Sequence, residues 1–128
     1  MGKILIIDDD PSVTKLFSEM IKTLGHIPLT ASNAENGLKI FNQNEIDLTF
    51  VDLKMPGMSG LEFLEEVKKT DENAIVTVIT SYPSSETIRE TILLNGFTYL
   101  EKPITIDKLR TIIEKGFKHK RELESGKS

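Results

Sequence analysis

The side chains that could do chemistry in this chain stand at the ends of short apolar runs. Asp8 and Asp9 follow the run at residues 3–7, and Asp52 lies near the end of the run at residues 48–53. Carboxylates placed in this way can act as nucleophiles or as ligands for a hard divalent cation. Whether they act together depends on the elements that position them.

Composition narrows the chemistry. The chain has 128 residues, two histidines, no cysteine and a formal net charge of -4. Without cysteine there is no disulfide or thiolate nucleophile, so any metal must be held by oxygen ligands. The acidic balance argues against direct nucleic-acid binding, which needs clustered Lys and Arg. No apolar run reaches the roughly 18 residues of a membrane span and no signal-peptide pattern occurs, so we expect a cytoplasmic protein without membrane contacts.

The hydrophobic pattern predicts five strand–helix units. Asp10 with Pro11 is typical of a helix start, Ser32 and Glu35 form a capping-box pattern, and a fifth helix is predicted to begin near Thr105. Strands are predicted at residues 3–7, 27–30, 48–53, 74–80 and 98–100. Because the central strands are apolar throughout, we expect an α/β fold with a doubly wound, flavodoxin-like parallel sheet of five strands covered by five helices.

The length fits one domain. We assign residues 1–120 to it, and we expect the polar segment 121–128 to fray or to begin a linker.

The predicted sheet brings the chemical groups to one edge, because ligands of open parallel sheets bind at the carboxyl ends of the strands. With strand order 2-1-3-4-5, strands one and three are neighbours, so Asp8, Asp9 and Asp52 converge. Three carboxylates repel one another unless a cation is present, and Lys102 supplies only one positive charge. Mg²⁺ completes such a site, and together with the hydroxyl of Thr80 the set could hold a phosphoryl group.

Four motifs occur in a fixed order: IIDDD at residues 6–10, VDLKMPGMSG at 51–60, VIT at 78–80 and YLEKP at 99–103. In order and spacing they resemble the receiver domain of two-component response regulators, the CheY-like family, over residues 3–117. The resemblance implies a phosphorylated signalling switch that promotes its own phosphorylation and dephosphorylation, and no enzyme acting on a separate substrate.

The resemblance also implies residue roles. Asp52 would be the phosphoacceptor, taking a phosphoryl group from the phosphohistidine of a sensor histidine kinase or a phosphotransfer protein. Asp8, Asp9, Asp52 and the backbone carbonyl of Lys54 would bind Mg²⁺. Lys102 would pair with a phosphoryl oxygen.

The remaining implied roles concern switching. Thr80 would turn its hydroxyl toward the phosphoryl group and Tyr99 would follow, which alters the surface of the fourth helix, fifth strand and fifth helix. A downstream effector protein, or an output domain outside this sequence, would read that surface. The bond between Lys102 and Pro103 is expected to be cis. Tyr82, two positions after Thr80, is expected to hinder water and to lengthen the phosphorylated state.

Two alternatives stay open on the residues alone. A phosphatase of the haloacid-dehalogenase type would use Asp8 as its nucleophile, but it leaves Asp52 and the loop at 54–60 unexplained. A pseudo-receiver would keep the fold as a binding module that is never phosphorylated. Phosphoryl labelling separates the three, because each predicts a different acceptor or none.

Overall fold

Five strands alternate with five helices along the chain. The structure is a computed structural model that describes residues 2–126. The strands are β1 (Lys3–Ile7), β2 (Ile27–Ala31), β3 (Leu48–Asp52), β4 (Val76–Thr80) and β5 (Thr98–Glu101). The helices are α1 (Pro11–Thr23), α2 (Ala34–Gln43), α3 (Gly60–Thr70), α4 (Ser85–Leu93) and α5 (Ile106–Glu124). Between residues 2 and 126, none of these helices combines the length and apolar character needed to cross a membrane.

The strands form one parallel sheet in the order β2-β1-β3-β4-β5, which confirms the predicted fold class and strand order. Ile7 at the end of β1 pairs with Val51 on β3. The residues that follow this pair, Asp8 and Asp52, therefore leave neighbouring strands at the same edge. We call this edge the carboxyl edge and the opposite one the amino edge.

Apolar side chains alternate between the two faces of the sheet because successive residues of a strand point to opposite sides. One face packs against α2 and α3, and the buried residues of this layer, from strands and helices together, include Leu5, Val51, Phe63, Leu64 and Val78. The other face packs against α1 and α5, and the buried residues of this second layer include Ile6, Phe17, Phe50, Leu109 and Ile113. Each fully buried side chain of this size contributes about 1.5–3 kcal/mol to folding, so the two layers hold the strand ends in fixed positions.

Two predicted helix starts are confirmed. The side chain of Asp10 accepts a hydrogen bond from the N–H of Ser12 at 3.0 Å, and Pro11 occupies the first turn of α1. Thr105 caps α5 in the same way by accepting from the N–H of Lys108 at 3.2 Å. Both caps satisfy backbone donors that have no partner within the helix.

The predicted capping box at the start of α2 is wrong. The cap is Asn33, whose side-chain oxygen accepts from the N–H of Asn36 at 2.8 Å. Because the helix begins one residue later than Ser32 would set it, Glu35 does not occupy the third helical position that a capping box requires. A complete capping box is found instead at the start of α3.

The end of α5 also differs from expectation, since the helix continues to Glu124 through part of the segment expected to fray. Lys120 forms an ion pair of 2.9 Å with Asp47, and Gly116 packs against Leu48. These contacts tie the second half of α5 to the amino edge, although residues 118–124 are mostly polar. Residues 127–128 of the expected tail lie outside the described residues, and the domain division at residue 120 stays a prediction.

Candidate functional site

Three carboxylates meet at the carboxyl edge. One oxygen from each of Asp8, Asp9 and Asp52 lies within 4.8 Å of the others, and we call these three residues the acidic cluster. Asp8 and Asp52 are buried, with 1% and 7% exposure, whereas Asp9 is exposed. The convergence predicted from the strand order is therefore present, with two carboxylates held away from water.

Lys102 faces the acidic cluster from the end of β5. Its Nζ lies 3.2 Å from Oδ2 of Asp8 and 3.3 Å from Oδ1 of Asp52. The backbone helps to place Lys102, because its N–H donates to the carbonyl of Thr80 at 2.9 Å. The Lys102–Pro103 peptide is cis, as the resemblance implies. One ammonium group thus bridges two buried carboxylates.

The charges at this edge do not balance. Burial and the neighbouring carboxylate of Asp8 raise the pKa of Asp52 to about 6, and Lys102 only partly opposes the increase. Burial by itself would lower the pKa of Lys102, but Asp52 and Asp8 outweigh it and raise that pKa. The ionised form of Asp52 is therefore destabilised in the folded protein, and a bound cation would stabilise it.

Asp8 supplies the clearest indication of a missing partner. Its Oδ1 accepts a hydrogen bond from the N–H of Asp10 at 2.9 Å. Its Oδ2 is buried without a hydrogen-bond partner of its own among the described residues, and the ammonium group 3.2 Å away is shared with Asp52. Buried polar atoms normally have partners. An all-oxygen donor set with one orphaned carboxylate oxygen fits a hard divalent cation such as Mg²⁺.

Gly60, the first residue of α3, determines how closely that helix approaches Asp52. A Cβ at position 60 would collide with the backbone carbonyl of Asp52, and the N–H of Gly60 donates to the carbonyl of Leu53 at 3.0 Å. Only glycine allows this approach. The sequence does not reveal this positioning role, because within the turn-rich loop nothing distinguishes Gly60 from any other turn glycine.

Asp52 opens into a cavity of about 250 Å³. Its lining residues are Asp52, Leu53, Lys54, Thr80, Ser81, Tyr82 and Lys102. Lys54 and Tyr82 are exposed and border the entrance, and Tyr82 has 84% of its surface in solvent. A volume of this size accommodates a small group beside the Asp52 carboxylate.

The hydroxyl of Thr80 lies in this cavity but is engaged. Thr80 is buried, and its Oγ1 accepts a hydrogen bond of 3.2 Å from the N–H of Tyr82. Tyr99 is partly exposed on β5, pairs with Val78, and is not among the residues that line the cavity. The structure thus brings Asp52, Lys54, Thr80 and Lys102 together and leaves Tyr99 outside.

Comparison with known proteins assigns the family. Residues 4–114 match the family model described as the response regulator receiver domain. Because the match covers most of the chain, this chain belongs to that family and is a receiver domain of two-component signalling. Receiver domains work with histidine kinases or phosphotransfer proteins and with output domains.

Individual relatives agree with this assignment. Sporulation initiation phosphotransferase F of Bacillus subtilis is 35% identical over 88% of this chain and 91% of that protein. The probable C4-dicarboxylate response regulator DctR of the same organism is 30% identical over 96% of this chain, which spans about half (55%) of that longer protein.

Solved structures show the same fold. A response regulator receiver domain from Clostridium thermocellum has a TM-score of 0.91 and 32% identity, and the alignment covers 96% of this chain and 99% of that one. The response regulator TrrA of Thermotoga maritima, in complex with Mg(2+)-BeF, has a TM-score of 0.83 and 31% identity over 91% of this chain and 99% of its own.

Proposed function

We propose that this receiver domain is a Mg²⁺-dependent phosphoacceptor switch in which Asp52 takes a phosphoryl group from the phosphohistidine of a sensor histidine kinase or a phosphotransfer protein. The observation that carries the proposal is the buried carboxylate of Asp52, which opens into a cavity and lies within 4.8 Å of Asp8 and Asp9 and 3.3 Å from Lys102. No other described carboxylate combines these surroundings.

The transfer uses groups that this chain supplies. A carboxylate oxygen of Asp52 attacks phosphorus, an O–P bond forms, and the N–P bond of the donor breaks with its electron pair returning to the imidazole nitrogen. The product is an aspartyl phosphate. Lys102 stands where its ammonium group can pair with a phosphoryl oxygen, and at neutral pH most of Asp52 is already ionised because its pKa is about 6.

The metal ligands would be Asp8, Asp9, Asp52 and the backbone carbonyl of Lys54. Mg²⁺ bound there neutralises charge on the carboxylates and on the transferred group. Support comes from the orphaned Oδ2 of Asp8 and from the relative from Thermotoga maritima, whose structure is described as a complex with Mg(2+)-BeF.

Switching begins at Thr80. Turning its hydroxyl toward a phosphoryl group on Asp52 gives up the hydrogen bond from the N–H of Tyr82, which frees the β4–α4 connection to move. The helix α4 can respond because Thr91 is its only buried residue, whereas Ile92 and Leu93 are exposed. Tyr99 on the adjacent strand would follow.

The output is a protein contact. An effector protein, or an output domain beyond this sequence, would bind the surface made by α4, β5 and α5, without direct contact of this domain with nucleic acid or a membrane. We also propose that the domain is cytoplasmic, and that it promotes its own phosphorylation and dephosphorylation and turns over no separate substrate.

The proposal is tested by incubating the protein with acetyl phosphate and Mg²⁺ and mapping the modified residue by mass spectrometry. We expect modification of Asp52, and at least a ~100-fold loss in Asp52→Asn and on chelation of the metal. Asp47→Asn is the matched control, because it removes a carboxylate at the amino edge.

Two other outcomes would overturn the proposal. Label on Asp8 would favour the phosphatase of the haloacid-dehalogenase type. A folded protein that binds Mg²⁺ but accepts no phosphoryl group from acetyl phosphate, or from a panel of phosphorylated histidine kinases, would favour the pseudo-receiver.

A further inference from the structure

A second polar cluster lies at the amino edge, far from Asp52. Gly2, His26, Asp47, Phe117 and Lys120 meet there, and we call them the amino-edge cluster. They come from the start of the chain, from the residues before β2 and β3, and from the end of α5. Phe117 and Lys120 lie beyond residue 114, where the match to the family model ends.

The cluster holds the end of α5 at close range. Gly2 is buried, and a Cβ on it would collide with the ring of Phe117 and approach the carboxylate of Asp47. Lys120, one turn further along α5, reaches the other oxygen of Asp47 at 2.9 Å. The last two turns of α5 are thus fastened by one aromatic contact and one ion pair.

His26 connects these parts. Its ring stacks on Phe117 with a centroid separation of 5.0 Å and an angle of 12° between the planes, and its Nδ1 accepts a hydrogen bond of 3.1 Å from the N–H of Gly2. Only an unprotonated Nδ1 can accept. In the imidazolium form the same nitrogen carries a hydrogen and faces another donor, so this contact becomes repulsive.

The groups around His26 favour its neutral form. Burial lowers the pKa of His26, and the negative charge of Asp47 only partly opposes this. Asp47 is already engaged, because its Oδ2 accepts from the N–H of Lys3 at 2.8 Å and its Oδ1 pairs with Lys120. Protonating His26 therefore costs the hydrogen bond from Gly2, whose backbone packs against the ring of Phe117.

We propose that His26 is a pH-sensitive pin that fastens the last two turns of α5 to the amino edge when neutral and releases them when protonated. The response would fall in the mildly acidic range, where histidine titrates. It is independent of phosphorylation, because every group involved lies at the edge opposite to Asp52.

The chain contains its own control. His119, on the same helix, also stacks on a phenylalanine, at 5.5 Å from Phe97. It is exposed and forms no hydrogen bond among the described residues, so it lacks the contact that His26 makes with Gly2. The two histidines thus share a stacked phenylalanine and differ in burial and in the hydrogen bond from Gly2.

The test is amide hydrogen exchange of the full chain at about pH 7.5 and about pH 5.5, read as protection factors so that the intrinsic pH dependence of exchange cancels. We expect the protection of residues 117–124 to fall about fivefold at the lower pH, the effect of one lost hydrogen bond, while the core of β1 and β3 keeps its protection. An equal fall in the core and in residues 117–124 would overturn the proposal, since it would indicate global destabilisation.

Substitutions assign the effect to His26. In His26→Gln the protection of residues 117–124 should no longer depend on pH, whereas His119→Gln should behave like the parent. Lys120→Met should lower protection at both pH values and preserve their ratio. Retention of the parent's pH dependence in His26→Gln, with the core protected, would rule His26 out as the pin.

Discussion

The two edges of the sheet treat carboxylates in opposite ways. At the carboxyl edge, Asp8 and Asp52 share one lysine, and Oδ2 of the buried Asp8 has no hydrogen-bond partner of its own among the described residues. At the amino edge, Asp47 uses both of its oxygens, one for the N–H of Lys3 and one for the ammonium group of Lys120. The same residue type is satisfied at one edge and left short of partners at the other.

This difference distinguishes carboxylates with a structural role from carboxylates with a functional one. A satisfied carboxylate adds to stability and needs no ligand, whereas a buried one without enough partners costs stability unless something else binds it. Folded domains accept such a cost mainly at functional sites. The contrast can be tested by measuring stability and metal binding after substitutions at each edge.

The largest effect is expected from Asp52→Asn on stability. An unfolded aspartate loses its proton near pH 3.8, but folded Asp52 keeps it up to about pH 6, so the folded protein loses stability as the pH rises through that interval and the loss persists above it. Removing the charge should therefore raise the free energy of unfolding at neutral pH by roughly 2 kcal/mol.

Urea unfolding without Mg²⁺ measures this change at about pH 7 and again near pH 4, where the gain should largely disappear because folded Asp52 is protonated and the unfolded aspartate is only about half ionised. The variant without phosphoacceptor activity would then be the more stable protein. A variant that is less stable than the parent at neutral pH would show that Asp52 is as well satisfied as Asp47.

Mg²⁺ binding should depend on pH with the next largest effect. Below about pH 6 a proton occupies Asp52 and competes with the metal, so the apparent affinity for Mg²⁺ should fall about tenfold between about pH 7 and about pH 5. Isothermal titration calorimetry at the two pH values gives the ratio. Asp52→Asn should bind more weakly and nearly independently of pH, and an equally steep dependence in that variant would assign the competing proton to another group.

A smaller loss, of stability alone, is expected at the amino edge. Asp47→Asn removes the charge that pairs with half-buried Lys120 while keeping an acceptor for Lys3, and should lower the free energy of unfolding by about 1 kcal/mol. Phosphorylation of Asp52 should be unchanged. Impaired phosphoryl transfer in a folded Asp47→Asn protein would show that the two edges are coupled.

Much of the carboxyl edge could be predicted because its determinants are local. Apolar runs that end in charged or hydroxyl residues mark strands and their carboxyl ends, and β1 begins and ends where predicted. Once the strand order is fixed, the convergence of Asp8, Asp9 and Asp52 follows from parallel pairing. The error at the start of α2 is also local, since Ser32 and Asn33 are both good caps and the choice depends on where β2 releases the chain.

The amino edge could not be predicted because its contacts join residues far apart in sequence. Gly2, His26, Asp47 and Phe117 each have an unremarkable local context, and only packing brings them together. The same cause explains the end of α5, whose polar sequence is typical of a fraying helix. The ion pair between Lys120 and Asp47 spans more than seventy positions, which no local pattern can indicate.

The two edges also differ in how their aromatic rings are packed, and the smallest effect on stability is expected from one of these rings. Phe117 at the amino edge is stacked on His26, whereas Tyr82 at the carboxyl edge is 84% exposed beside the cavity of Asp52. An exposed ring contributes little to folding, so Tyr82→Ala should change the free energy of unfolding by less than about 0.5 kcal/mol. The role expected of Tyr82 therefore concerns access to the cavity that it lines, and not stability.

The effect of Tyr82 on access to the cavity can be measured in the phosphorylated form. Hydrolysis requires water to reach phosphorus in line with the bond to Asp52, and a bulky side chain at the entrance reduces the number of approaches. We expect Tyr82→Ala to lose its phosphoryl group about threefold faster than the parent, and Tyr82→Phe to match the parent because the ring remains. A time course of dephosphorylation after removal of the donor measures both. If Tyr82→Ala is no faster, the ring does not limit access, and Lys54, the exposed lysine that also lines the cavity, becomes the residue to test.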